Sequence, residues 1–355
     1  MYDFAMSLQQ HLAVTVLAPA LNSSTEKNGQ LTIVRFAVPS LPLSLLSPVK
    51  PTNWLKIIRT LQAGKSAAHS LAQQHKFDHC FSLWVLPSGY WARSLKKQHG
   101  IPYSIWALGS DIWSLKRIPI VKQILIKTIN DSSHCFADGY GLAQDASEIS
   151  KKPFHFLPSS RQLHPTEIKK PSYQAPYKLA FLGRWHLNKG IDILMECLLS
   201  LTSDDWTKII EVRIFGGGPL EPQLRNIHDK LLRLNRPVQL GGFIDKQAAT
   251  NLYQWADYLI IPSRIESIPV VYSDAMQTRC PVIATPVGDL PRLITEFNTG
   301  IVAENVSVSA LRDAIRQSLA ASPKRFRAGI EKAAECFDNQ KIAQQFLSHI
   351  DIDTT

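Results

Sequence analysis

Between residues 178 and 320 short apolar runs alternate with amphipathic stretches. Residues 178–182, 211–215, 238–243, 258–262 and 282–284 are predicted strands, and residues 190–201, 220–234, 246–256, 269–278 and 309–320 are predicted helices. Strands of this kind, apolar on both faces, belong to a parallel sheet covered by helices on both sides, and so to a Rossmann-like domain. The first half repeats the pattern less regularly, with predicted strands at 13–17, 31–37, 79–84, 103–106 and 134–137 and helices between them. Residues 12–20 end in Ala-Pro-Ala like a signal-peptide cleavage site, but Asp3 is the only charge ahead of them, so a buried strand is the better reading. The expected fold class is α/β, with two Rossmann-like domains facing a cleft.

Length agrees, because 355 residues suit two domains at roughly 150 each. With 45% hydrophobic and 19% charged residues, a disordered or fibrous chain is excluded. No uncharged apolar run approaches the roughly 18 residues of a membrane-spanning helix; even residues 118–129 are broken by Lys122 and Lys127. The 5 cysteines are scattered, with no Cys-x-x-Cys pair, and the 11 histidines show no His-Glu-x-x-His spacing, so no metal is expected and a reducing, cytoplasmic setting fits. Charge is unevenly placed. Residues 1–170 hold 19 Lys and Arg against 9 Asp and Glu, whereas residues 171–355 hold 20 of each. That step, with Pro158, Pro165, Pro171 and Pro176 punctuating a polar stretch, predicts domains at 1–165 and 166–355.

Three loops in the second half carry chemistry. Gly183 and Arg184 end one predicted strand and Lys189 precedes the next helix, which puts two cations at the sheet edge where open α/β folds bind ligands. Gly216, Gly217 and Gly218 follow another strand, offering an approach free of side chains, although the spacing is not a dinucleotide fingerprint. The run from Ser263 through Glu266, Ser267, Ile268 and Pro269 leads into a helix bearing Asp274; Pro269 suits a first helical turn, and Ile268 is a poor N-cap, leaving N–H groups for an anion. Cations for a diphosphate beside carboxylates for hydroxyls describe a nucleotide-sugar site.

The stretches FLGRWHLNKG, FGGGPL and PSRIESIPVVYSDAMQTRCPVIATPVGDLP resemble the donor domain of the retaining GT-B glycosyltransferases of family 4. Thinner similarity runs through VTVLAP, WVLPSG, GIPYSIWALGSDIW and FLPSS. The resemblance implies transfer of a sugar from a nucleotide diphosphate sugar to a hydroxyl acceptor, with retention and without a required metal or other cofactor. It implies that Arg184 and Lys189 hold the diphosphate, that Glu266 lies near the transferred sugar, and that Asp274, where the family usually has a second glutamate, binds ribose. Gly183, Gly216, Gly218, Ser267, Ile268 and Pro269 would line the donor site. The departures are Leu108 at a usual histidine, Phe81 and Leu83 at a usual His-x-His, and a start at residues 1–11 that matches the helix after the family's first strand and glycine-rich loop. The first domain is therefore expected to lack that strand. Two alternatives follow, a catalytically weak sugar-nucleotide-binding or scaffold protein and a GT-B epimerase or hydrolase of nucleotide sugars. The expected partners are the donor, a glycan or lipid-linked acceptor in surface polysaccharide or glycolipid synthesis, and an anionic membrane, with no nucleic acid. The membrane reading places the protein on the inner face of the membrane, through residues 113–127, where Trp113, Lys116, Arg117, Lys122 and Lys127 interleave with Ile118, Ile120, Val121, Ile124, Leu125 and Ile126.

Overall fold

Two compact units emerge in the computed structural model, which describes residues 1–41, 43, 46, 50–165 and 174–350. One unit comprises residues 1–158 together with 342–355, and the other residues 159–341. The expected boundary at 165/166 thus moves back to 158/159, and the end of the chain returns to the first unit. Burial explains the return, since Ile342, Ala343, Phe346 and Ile350 pack with Phe4, Trp106, Phe136 and Leu157 in one apolar cluster.

In the first unit the order is α1 (Tyr2–Leu8), β1 (Val14–Ala20), β2 (Ser24–Asn28), β3 (Leu31–Ala37), α2 (Trp54–Gln74), β4 (Cys80–Leu83), α3 (Ser88–His99), β5 (Tyr103–Ala107), α4 (Ser110–Trp113), α5 (Pro119–Asp131), β6 (Cys135–Ala137), α6 (Tyr140–Ser150) and β7 (His155–Phe156). Its strands make two sheets. One runs β1-β3-β2, with β1 parallel and β2 antiparallel to β3; the other runs β4-β5-β6-β7, all parallel. The pattern of apolar runs misses β2, because its five residues, Ser-Thr-Glu-Lys-Asn, are all exposed; a turn with Gly29 at φ 63° closes the hairpin. Among the described strands β1 pairs only with β3, and β4 only with β5. Both nonetheless feed the same cores, Val14 with Phe81 and Leu83 in one cluster and Leu17 with Cys80 in another.

The second unit is regular. It contains β8 (Tyr177–Arg184), α7 (Ile191–Ser200), α8 (Ser203–Trp206), β9 (Ile209–Gly217), α9 (Glu221–Arg233), β10 (Val238–Gly241), α10 (Lys246–Trp255), β11 (Tyr258–Ile261), α11 (Val270–Gln277), β12 (Val282–Ala284), α12 (Leu290–Phe297), β13 (Gly300–Val302), α13 (Val308–Leu319) and α14 (Arg327–Cys336), and α15 (Asn339–Leu347) leads back to the first unit. Six parallel strands lie in the order β10-β9-β8-β11-β12-β13. The winding reverses between β8 and β11. In open α/β sheets the crevice at the carboxyl ends of the strands flanking such a reversal is where ligands bind.

Candidate functional site

Arg184 ends β8, and the loop that follows β11 opens on Pro262 and Ser263, so the cations and the acidic loop singled out above flank the switch point. Close approach of backbones brings these loops together. Gly190 takes φ 63°, and a Cβ there would lie 1.7 Å from the Pro262 carbonyl oxygen. Gly288 is similar, since a Cβ would meet the carbonyls of Glu266 and Ser267 at 2.3 and 2.4 Å, while Asp289 N–H donates to Ser267 O at 3.1 Å. Only glycine meets both demands, a left-handed backbone and no side chain.

Ion pairs complete the frame. Lys189 Nζ donates to Glu266 Oε1 at 2.5 Å, and Ser263 Oγ donates to the same oxygen at 2.9 Å. Arg264 forks onto Asp192 through Nη1 and Nη2 at 2.7 and 2.6 Å and reaches Leu187 O at 2.7 Å; its N–H donates to Asn188 O. The planar guanidinium matches the carboxylate in both bonds, so this pair locks the loop after β11 to the turn before α7. Neither Arg264 nor Asp192 stood out in the sequence. Arg184 is exposed and makes no ion pair among the described residues. The site thus holds one cation facing solvent, a second held by Glu266, and a helix start. Pro269 is the N-cap of α11, in extended conformation, rather than its first helical residue, and no side chain caps the helix. The start of α11 thus has no side-chain cap from its N-cap residue, and uncapped helix starts are where anions bind in general. Ser267 and Ile268, both buried, position that start.

The glycine run has a different basis from the one expected. A Cβ on Gly216 would strike Gly183 O at 1.9 Å and Trp185 Nε1 at 2.9 Å, one on Gly217 the Phe243 ring at 2.6 Å, and one on Gly218 the Trp185 carbonyl oxygen at 2.6 Å. Protein atoms, not an open approach, occupy all three directions. Trp185, 1% exposed, covers this run, and its indole N–H has no partner among the described residues. A Cβ on Gly183 would lie 3.2 Å from the Phe181 ring.

Asp274 lies on α11, one turn after its start. Its carboxylate is buried, takes the Arg161 guanidinium through Nε at 3.3 Å and through Nη2, and accepts the Tyr253 hydroxyl at 3.1 Å. Burial raises its pKa above the usual carboxylate range, while Arg161 and Tyr253 pull it down. The structure therefore pairs Lys189 with Glu266, places Arg184 at the end of β8 and the start of α11 after the same loop, and pairs Asp274 with Arg161 and Tyr253. Arg161 and Tyr253 were invisible to motif spacing, because 113 residues separate Arg161 from its partner. Among the described residues no three His, Cys, Asp or Glu side chains group as metal ligands do.

Residues 176–321 match the family model described as Glycosyl transferases group 1. The D-inositol 3-phosphate glycosyltransferase of Corynebacterium aurimucosum is 30% identical over 154 residues, 42% of this chain and 37% of that protein. The chain spans little more than a third of the length of the curated relatives it matches. Among solved structures, sucrose-phosphate synthase from Thermosynechococcus elongatus superposes with a TM-score of 0.73 at 17% identity, covering 97% of this chain and 90% of that one. The E. coli trehalose-6-phosphate protein bound with UDP-2-fluoro glucose gives 0.73 at 12% identity, covering 97% and 94%. Residues 176–321 are thus similar to the glycosyl transferases group 1 domain, in a chain whose α/β fold matches that of GT-B glycosyltransferase structures.

Proposed function

We propose that this chain is a glycosyltransferase that moves a sugar, with retention, from a nucleotide diphosphate sugar to a hydroxyl acceptor. The observation that carries the reading is the placement of Arg184 at the end of β8, the Lys189–Glu266 pair and the start of α11 at the switch point of the β10-β9-β8-β11-β12-β13 sheet. Arg184, Lys189 and the α11 N–H groups would take the two phosphates, and Glu266 would lie against the transferred sugar. Lys189 is held by Glu266 at 2.5 Å, so a donor entering the site would exchange one anionic partner of the lysine for another. The bond from the anomeric carbon to the diphosphate oxygen breaks, the acceptor oxygen bonds to that carbon on the same face, and the acceptor proton passes to the departing diphosphate. The main rate contribution is then electrostatic stabilisation of the leaving group, with no metal required.

The first unit would be the acceptor side. Its excess of basic residues supports a glycan or lipid-linked acceptor met at an anionic membrane, in surface polysaccharide or glycolipid synthesis, on the cytoplasmic face. No helix among the described residues is long and apolar enough to cross a membrane. A catalytically weak nucleotide-sugar-binding protein is the second reading, and one observation favours it. Leu108, at the position of a usual histidine, packs into the apolar cluster around Trp106 and offers no polar group.

Titration with UDP- and GDP-sugars, followed by product analysis with candidate acceptors, tests the proposal. Lys189→Ala is expected to weaken donor binding by about tenfold or more through loss of a charge-assisted contact. Glu266→Gln is expected to abolish transfer with the fold unchanged. Full turnover by Glu266→Gln, or unaltered affinity in Lys189→Ala, would remove these residues from the site; binding without turnover in the parent would favour the second reading.

A further inference from the structure

Trp84, at the carboxyl end of β4 in the first unit, has a backbone conformation that large side chains rarely adopt. Its φ is 72°, in the left-handed region, and it is 37% exposed. Hydrogen bonds on both sides hold it there. Trp84 N–H donates to Trp106 O at 2.9 Å, Trp84 O accepts from Ser82 Oγ at 3.0 Å and from Ser88 Oγ at 2.9 Å, and the next N–H, that of Val85, donates to buried Asp111 Oδ2 at 2.7 Å. The surroundings thus enforce a strained residue whose large apolar side chain stays partly in water, which packing alone does not explain. Charge at the same edge is distinctive as well. Residues 84–90 after β4, 108–112 after β5 and 138–141 after β6 include Asp111 and Asp138 and no Lys or Arg, although residues 1–170 hold 19 Lys and Arg against 9 Asp and Glu. An anionic group placed here would meet two carboxylates and no cation from these loops. A neutral sugar ring meets no such opposition, and its weakly positive, apolar C–H face matches the negative face of an indole.

We propose that Trp84 is a specificity-determining residue of the acceptor subsite, stacking on an uncharged pyranose ring and disfavouring acceptors whose ring carries a phosphate or carboxylate. The proposal rests on the reading of the first unit as the acceptor side and names the class of acceptor taken there. A lipid-linked acceptor is compatible with it when the anionic group lies beyond the ring that stacks. The strain has a use in this role, because a backbone fixed on both sides of the residue limits the ordering that the binding step must supply.

The test uses the full chain with Trp84→Ala, Trp84→Gly and Trp84→Tyr. Thermal unfolding, which needs no ligand, reports the strain. Alanine and glycine both remove the indole but only glycine accepts a left-handed backbone freely, so Trp84→Gly should unfold about 2 to 4 °C above Trp84→Ala. Saturation-transfer NMR reports the subsite, with the methyl pyranosides of glucose, galactose, mannose and N-acetylglucosamine as neutral probes and glucose 6-phosphate and methyl glucuronide as anionic ones. At least one neutral probe should bind the parent, with the strongest transfer to its ring C–H protons, and about tenfold more tightly than either anionic probe. Trp84→Ala and Trp84→Gly should weaken that binding by about tenfold, and Trp84→Tyr, which keeps an aromatic face, by roughly threefold or less. Anionic probes bound as tightly as neutral ones, alanine and glycine variants that bind like the parent, or a parent that binds none of the neutral probes would overturn the proposal, and so would an alanine variant as stable as the glycine one. Calorimetric titration of the parent with UDP and GDP keeps the donor reading separate. If neither nucleotide bound while a neutral pyranoside bound through Trp84, the donor reading would fall and the sugar subsite would stand.

Discussion

In the first unit buried Asp111 and half-buried His79 have opposite pH dependence. Asp111 accepts N–H bonds from Val85 at 2.7 Å and Leu108 at 3.1 Å, yet burial pushes its carboxyl up to about 6. His79, whose Nε2 lies 2.9 Å from Ser104 Oγ, is pushed down to about 4, by burial first and then by His134. For Asp111 the folded pKa lies above the unfolded one, so its stabilisation is full below about 4 and is lost as pH rises through 6. His79 is the reverse, its stabilisation being full above about 6.5 and lost as pH falls through 4. Each change is worth up to about 3 kcal/mol, and they offset between pH 4 and 6.5. Replacing one should unmask the other. On going from pH 7 to 4.5 the unfolding midpoint should fall in Asp111→Asn and rise in His79→Asn, relative to the parent, by roughly 5 to 10 °C. Identical pH trends in parent and variants would show that neither group titrates in the folded state as described.

Between elements, the second unit depends on turns that only glycine can make. Gly190 joins β8 to α7 where an added Cβ would lie 1.7 Å from the Pro262 carbonyl oxygen, so the loops after β8 and β11 approach this closely only with glycine there. Gly190→Ala combines a left-handed residue with a clash, and is expected to cost about 2 kcal/mol or more of stability and to displace Lys189 from Glu266. Urea unfolding measures the first, and loss of nucleotide affinity the second. A variant as stable as the parent would mean that the loop yields without strain. In the first unit, by contrast, β1 and β4 each leave one edge unpaired among the described strands, and its parallel strands fall into two sheets rather than one.

Across the molecule, charge separates more sharply than secondary structure. Between Glu26 and Asp111 Asp78 is the sole acid, while Lys27, Arg35, Lys50, Lys56, Arg59, Lys65, Lys76, Arg93, Lys96 and Lys97 are all basic. The membrane segment read from residues 113–127 is partly consumed by internal contacts, because Trp113 donates to Asp145 at 2.7 Å, Lys116 pairs with the same acid and Leu125 is buried. Ile120 and Ile124 remain exposed there. The start of α2 offers a stronger patch. Trp54, Leu55 and Ile58 are 55%, 59% and 51% exposed, beside exposed Lys56 and Arg59. At roughly 1 kcal/mol per basic residue near an anionic leaflet, several together hold a protein reversibly. Co-sedimentation should rise with the anionic lipid content of vesicles, fall with salt, and drop in Lys56→Glu/Arg59→Glu. Binding indifferent to lipid charge and salt, or equally tight binding to DNA, would sink the membrane reading.

The amino-acid sequence by itself determined the strand and helix alternation of the second unit and the loops that carry Arg184, Lys189 and Glu266. Those features are local, since a strand buried on both faces is apolar throughout, a helix repeats its apolar face within a few residues, and glycine or proline marks where each ends. Polar, exposed β2 gave no such pattern, and the return of α15 to the first unit depended on which apolar faces meet, not on their spacing. Tertiary structure alone decided what each site residue touches. It filled the space beside Gly216 and Gly218 with Trp185, locked Arg264 onto Asp192, and turned Asp274 inward onto Arg161. A residue's type limits the bonds it can make, but its partner is whichever group the packed sheet and helices bring within about 3 Å, and residues 72 and 113 positions apart carry no mark of that meeting in their own neighbourhoods.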